Sequence, residues 1–283
     1  MELRFPGSEI FVPDGLPVAQ ALARTTHLAV GAHPDDLEIT SFHGILQCFG
    51  RQDAWFTGVV VADGAGSPRD DLYRDYTDEQ MQAVRRAEQK KAAVMGEYAA
   101  VALLNYPSAT LKDASRREPE HDLRDLLLAA RPRYVYTHNL ADKHDTHVAA
   151  ALRLIAALRS LPADARPQKV WGGEVWRDLD WMTDADKVPF DVGGHEGLAA
   201  GLLGIFDSQV CGGKRYDLAT LGRRRAHATY FASHGTDETT MLSFGMDLTP
   251  LMLDPNLKPA EHLQAHIDRF SAEVQDRVKR MGG

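Results

Sequence analysis

Two short stretches hold the residues that could do chemistry. The first is His33-Pro34-Asp35-Asp36-Leu37-Glu38, directly after the apolar run Leu28-Ala29-Val30-Gly31-Ala32. An apolar run that stops at a polar turn around a proline reads as a buried strand feeding a helix. If His33 enters that helix, Pro34 takes the first helical position, where its missing N–H costs nothing. Asp35 and Asp36 then follow beside the free backbone donors and the positive end of the helix dipole, which should keep both ionised. Neighbouring helix residues point about 100° apart, so the two carboxylates have different jobs. Asp36 can turn back towards His33, as in a capping box. An imidazole and a carboxylate converging there make two-thirds of a hydrolytic zinc site, with Asp35 left to hold a water. Taken alone, such a tetrapeptide is more often a solvated turn, so further ligands must come from elsewhere.

They come from Asp142-Lys143-His144-Asp145-Thr146-His147, which opens the helical run Val148 to Leu161. His144 and His147, three apart, share a helix face, so one can ligate a metal while the other faces a substrate. Asp142 reads as the helix cap. The elements that would bring the stretches together alternate regularly. Strands are expected from Thr26 until the apolar run stops at His33, and at Trp55 to Ala62, Val101 to Tyr106 and Arg133 to His138, with helices at Ile39 to Phe49, Thr77 to Tyr98, Pro119 to Ala130 and Val148 to Leu161. This alternation predicts an α/β fold, a Rossmann-like, doubly wound and mostly parallel sheet with right-handed crossovers, followed by an irregular α+β C-terminal part. With strand order 3-2-1-4-5, strands one and four lie side by side where the winding reverses, and ligands bind beyond their carboxyl ends. Both stretches then meet in one crevice.

Composition narrows the functions. The 283 residues carry a formal charge of -8, which argues against a nucleic-acid or anionic-membrane partner. No segment reads as a membrane span or signal peptide. Cys48 and Cys211 are too few for a disulfide framework or a cysteine-built metal site, and a reducing, cytoplasmic setting follows. The glycine turn Asp63-Gly64-Ala65-Gly66-Ser67-Pro68-Arg69 lacks the third glycine of a dinucleotide site. It reads as a loop whose alternative use is a substrate-facing wall, with Asp63, Ser67 and Arg69 as contacts. In the helix from Thr77, the residues Arg85, Arg86, Glu88, Lys90 and Lys91 are expected on the wet side, and Arg223, Arg224 and Arg225 on another solvated face. Trp171, Trp176 and Trp181 suggest strands and long loops over the crevice, where such faces suit sugar rings, although each taken singly more often packs under a loop. Pro259 to Met281 reads as an amphipathic helix for packing or oligomer contact.

The motif Ala32-His33-Pro34-Asp35-Asp36-Leu37-Glu38, together with His144-Asp145-Thr146-His147, resembles the PIG-L/LmbE family of zinc-dependent N-deacetylases over Thr26 to about Leu161. Arg86 to Gly96 resembles the family's R-x-x-E helix segment at Glu88 and Gly96. The resemblance implies that His33, Asp36 and His147 bind Zn2+ or another divalent transition metal. It implies Asp35 as general base and His144 as the group that protonates or stabilises the tetrahedral intermediate. It implies a small N-acetylated amino sugar as partner and a single deacetylase domain over 1–283, with 22–162 as core and 163–283 as cap, and it leaves a homo-oligomer open. This chain departs from the family pattern at Thr146, where an aspartate is usual, at His43, where glycine is frequent, and at Phe206, where a His-x-Ser-Gln pattern becomes Phe206-Asp207-Ser208-Gln209. Ser208 and Gln209 remain substrate candidates from that pattern. Rival readings are a magnesium phosphohydrolase built on Asp35 and Asp36, which two histidine ligands disfavour, and a non-catalytic sugar-binding protein.

Overall fold

The computed structural model describes residues 1–283. Its strands are β1 Glu9–Phe11, β2 His27–Gly31, β3 Phe56–Ala62, β4 Ala100–Tyr106, β5 Tyr134–His138, β6 Lys169–Gly173, β7 Val188–Asp191 and β8 Leu242–Asp247. Every residue of β2 and β3 is buried, as strands covered on both faces require. The sheet runs β1-β4-β3-β2-β5-β6-β8-β7. Its centre, β4-β3-β2-β5-β6, is parallel and has the order expected from the sequence. β2 and β5 pair directly, Leu28 facing Val135 and Ala29 facing Tyr136, so the turns that leave them open side by side. β1 adds an antiparallel edge against β4, and β8 and β7 extend the opposite side antiparallel, so the chain beyond residue 162 continues the same sheet.

Helices cover both faces. Leu126, Leu127, Leu154 and Leu158, from the helices Glu118–Ala130 and Asp145–Arg159, fill one core, while Phe42, Ile45, Leu202 and Phe206 pack the other against Phe56 and Tyr136. The single helix expected over Ile39 to Phe49 is two, Asp36–Thr40 and Phe42–Cys48. The chain turns at Ser41 because the second helix presses Gly44 onto the sheet, where an added Cβ would stand 2.7 Å from Tyr136 Cε2. Two of the tryptophans take the packing role expected of each singly. Trp171 stacks on Tyr134 with ring centroids 5.5 Å apart, and Trp181 Nε1 donates to Glu174 Oε2 at 3.1 Å. His43 packs as well, its ring 4.4 Å from Phe190 and its Nδ1 2.9 Å from Tyr136 Oη. The helix Pro259–Arg280 buries only His266 and leaves Ile267, Phe270, Val274 and Val278 exposed. No helix is long and apolar enough to cross a membrane.

Two imidazoles, His27 buried and His43 half-buried, make this fold sensitive to acid. Burial holds His27 and His43 down at about 4. In the unfolded chain they take a proton near 6.5, so the unfolded state binds more protons as pH falls between those values. Their stabilisation is therefore complete above about pH 6.5 and is lost on the way down to about 4. Thermal unfolding followed by circular dichroism should show the midpoint falling across this window, and His43→Phe should shrink the fall. An unchanged acid limb in that variant would refute the assignment.

Candidate metal centre and active site

β2 delivers the first stretch. Its last residue, Gly31, lets the chain fold back closely, since a Cβ there would lie 3.0 Å from Asp36 Cβ. The helix begins at Asp36, two positions later than expected, because Asp35 takes a left-handed conformation with φ 96° and occupies the capping position. A non-glycine residue in that region is strained by about 1–3 kcal/mol and must be held there. It is held from the helix Asp78–Met95. Gln89 Oε1 accepts the Asp35 N–H at 3.2 Å, and Arg85 donates from Nη2 to the Pro34 carbonyl at 2.6 Å and lies 3.6 Å from Asp35 Oδ2. Arg85 and Glu88, expected in water, are each 4% exposed. The amphipathic pattern placed them wrongly because their partners come from loops distant in sequence. The Glu88 carboxylate accepts from the Ser208 N–H at 2.8 Å and the Ser208 hydroxyl at 2.6 Å.

Asp36 turns back as expected, Oδ2 accepting the His33 N–H at 2.7 Å. Around the same carboxylate stand His33 Nδ1 at 3.4 Å, His147 Nε2 at 3.5 Å and His138 Nε2 at 3.2 Å. Burial pushes the Asp36 carboxyl up, but His147 and His138 outweigh it and carry the group well below the usual carboxylate range. Asp35 goes the other way. Burial drives it well above that range against the opposing Arg85 charge, contrary to the expectation that both aspartates stay ionised through the helix dipole. The helix involved has only five residues. Burial also drops His33 to about 4.

β5 delivers the second stretch through its last residue, His138, which is fully buried and stacks on His147 with centroids 4.0 Å apart. The Asp145–Arg159 helix starts from His144, not from a capping Asp142. Asp142 is drawn inward instead. Its Oδ1 accepts the His144 N–H at 2.9 Å, and its Oδ2 accepts the Val175 N–H at 3.0 Å and lies 3.2 Å from His147 Nδ1. It thus places a carboxylate beside the His147 imidazole. His144 sits edge-on to His33, centroids 5.1 Å apart, and its buried Nδ1 has no protein partner.

One donor atom each from His33, Asp36 and His147 lies within 4.8 Å of the others. Two imidazoles and a carboxylate suit a borderline divalent ion such as zinc better than magnesium. These residues open into a cleft of about 260 Å3 that also holds Asp35, His144, Ser67 and Gln209. Asp63, Arg69 and Ser208 lie outside its lining. Asp63 accepts from Ala65 N–H and Gln82, Arg69 donates to the Ala65 and Tyr76 carbonyls and to Asp78, and Ser208 is taken by Glu88. Trp176, Tyr216, Lys112 and Ser108 also line the cleft. Only Trp176 among them drew notice in the sequence, because the others stand outside any motif. Burial and the neighbouring Asp35 and Asp36 charges push the Tyr216 phenol up, so it stays a hydrogen-bond donor through the neutral range.

Residues 28–158 match the PIG-L family, described as GlcNAc-PI de-N-acetylase. The fold resembles that of N,N'-diacetylchitobiose deacetylase from Pyrococcus horikoshii, with TM-score 0.60 and 15% identity over 81% of this chain and 86% of that one. It resembles 4-carboxy-2-hydroxymuconate hydratase from Pseudomonas putida KT2440 equally well, with TM-score 0.60 and 16% identity over 79% and 96%. A zinc-inhibited form of teicoplanin deacetylase gives TM-score 0.58 and 15% identity over 79% and 97%. At these identities the likeness is one of fold. No curated protein matches the chain in sequence.

Asp142 is the sharpest point at which to probe the centre. Asp142→Asn should weaken zinc binding by about 10–100-fold in a competition titration, since the His147 imidazole loses its charged partner. Thr146→Ala should leave the affinity within about twofold, as expected for a side chain outside the ligand set. Equal affinities for Asp142→Asn and the parent would show that another group orients His147.

Proposed function

Residues 28–158 of this chain are a PIG-L family domain, and on that premise we propose that the protein is a metal-dependent N-deacetylase acting on an N-acetylated amino sugar. The observation that carries the reading is the convergence, in one cleft, of a three-residue donor set with a separate buried carboxylate and a separate imidazole. His33, Asp36 and His147 would hold the ion. When bound there, a zinc-type ion supplies an acidified water and polarises the amide carbonyl.

The chain's own residues do the rest. Asp35 takes a proton as water attacks the acetamide carbon, and burial, by raising its proton affinity, suits it to that task. Arg85 fixes the carboxylate and limits how far its affinity climbs. The proton that Asp35 took then passes to the departing amine, with His144, on the cleft wall beside His33, placed to relay it, giving acetate and a free amino sugar. Tyr216 donates towards the oxygen that gains charge. Trp176 offers an apolar face to a sugar ring.

A hydratase with the same fold keeps a second reading open, in which activated water adds to a carbon–carbon double bond. The family match favours the amide. The solved chitobiose and teicoplanin deacetylases of this fold support the same choice. The test is release of free amine and acetate from N-acetylglucosamine and its glycosides by zinc-loaded protein, with metal content measured in parallel. Asp35→Asn should keep its metal and lose about 100- to 10,000-fold in turnover, the span expected of a general base. His147→Ala should lose the metal. Parent-like turnover in Asp35→Asn would remove Asp35 from its role, and silence of the loaded parent on every acetylated sugar would sink the deacetylase reading.

A further inference from the structure

The helix Pro259–Arg280 is tied to the rest of the protein only at its root. His262 Nε2 lies 3.1 Å from the Asp247 carbonyl, His266 is buried, and Arg269 donates from Nε to Asp186 Oδ2 at 2.7 Å. Beyond Arg269 the side chains bond within the helix, Gln275 to Ser271 and Arg277 to Glu273. Every residue from Ile267 to Gly283 is exposed. A free helical stretch of about 14 residues is marginal in water. This one also carries Phe270, Val274 and Val278, which are poorer helix formers than the residues that suit a solvated helix. Their presence calls for a packing partner.

The pattern of side chains says which partner fits. Ile267, Phe270, Val274, Val278 and Met281 follow one another at steps of three or four residues. At about 100° per residue they fall in a stripe roughly 80° wide, the width of a seam between two helices and narrower than a face laid on a core. One flank of the stripe carries Glu273, Arg277 and Arg280, the other Ser271, Gln275 and, nearer the root, Asp268. In a parallel pair the first three would face Ser271 and Gln275, which carry no charge. An antiparallel pair crossing between Gln275 and Asp276 brings like flanks together instead. Phe270 of one copy then faces Met281 of the other, a sulfur–aromatic contact, and Val274 faces Val278, each contact made twice about a two-fold axis. The same alignment sets Glu273 of each copy against Arg277 and Arg280 of the other. Glu273 receives Arg277 of its own helix on Oε1, which leaves Oε2 for the second copy. Apolar and ionic positions thus agree on one register.

We propose that the helix Pro259–Arg280 is a dimerisation arm, which pairs antiparallel with the same helix of a second copy of this chain. The pairing is independent of the deacetylase reading. Each copy contributes fewer than the roughly 20–30 residues of a standard interface, so the dimer is reversible, with Kd on the order of 1–100 µM.

Sedimentation of the full-length protein across that concentration range should show the mass rising from the 31.3 kDa of one chain towards twice that value. Phe270→Glu and Val274→Glu, both at exposed positions, should each hold the single-chain mass throughout, with circular dichroism confirming that the variants fold. Glu273→Arg should lose self-association, and so should the double variant Arg277→Glu, Arg280→Glu. An equimolar mixture of those two proteins should regain it, because opposite charges then meet only in the mixed dimer. A parent that keeps the single-chain mass at every concentration would overturn the proposal. So would dissociation by Val94→Glu, at another exposed apolar patch, with none by Phe270→Glu. Dissociation by Phe270→Glu without recovery in the charge mixture would refute the antiparallel register.

Discussion

The rest of this structure depends on one buried carboxylate. Asp36, 3% exposed, is approached by three imidazoles and by a backbone N–H within 3.5 Å. A charge so placed is expensive unless its surroundings repay the lost hydration. The repayment fixes the geometry: β2 must end at Gly31, the chain must fold back at once, and β5 must lie alongside to deliver His138 and the helix bearing His147. A parallel sheet whose winding reverses between β2 and β5 is an arrangement that meets all three demands.

Around that carboxylate stands a second layer of buried charge whose members come from the whole length of the chain. Arg85 and Gln89 grip the strained turn at Pro34 and Asp35, and Gln89 also donates to Glu38 at 2.8 Å, while Tyr98 donates to the same Glu38 oxygen at 2.7 Å. Burial holds Glu38 up at about 7. Glu88, one turn of helix from Arg85, holds Ser208, and Arg224 reaches the carbonyls that follow Asp36. The C-terminal part is thus pinned to the candidate centre by ionic hydrogen bonds, which are directional, and not by apolar packing alone. A displacement of the helix Tyr216–Tyr230 would move Arg224 away from the Glu38 and Ile39 carbonyls that it holds.

The order of the central strands and the identity of the turn that folds back were legible in the sequence, because hydrophobic runs and the His33-Pro34-Asp35-Asp36 string are local signals. What failed did so for a common reason. Arg85, Glu88 and Arg224 sit on helices whose periodicity assigns charged residues to water, and each is buried because its partner arrives from 51 to 186 positions away. Asp142 was misplaced as a cap because spacing shows that a carboxylate precedes a helix but not whether it faces the helix end or a histidine three residues inside it. Asp35 looked like an ordinary second helical residue, and its left-handed backbone is stabilised only by contacts from the Asp78–Met95 helix. Local patterns foretold elements and motifs; the buried electrostatics that turn a motif into a site are non-local.

The presence of Thr146 where an aspartate is usual directs attention to how the cleft imidazoles are held. A histidine meant to shuttle a proton needs its tautomer set by the nitrogen remote from the substrate. Here Asp142 Oδ2 lies 3.2 Å from His147 Nδ1, yet neither that nitrogen nor His144 Nδ1 makes a hydrogen bond within the protein. A frame found both in deacetylases and in a hydratase does not choose between reactions by its sheet. The choice falls to the groups that line the cleft, and in this chain those include a strained Asp35, His144, and the Trp176 and Tyr216 wall that the C-terminal part provides.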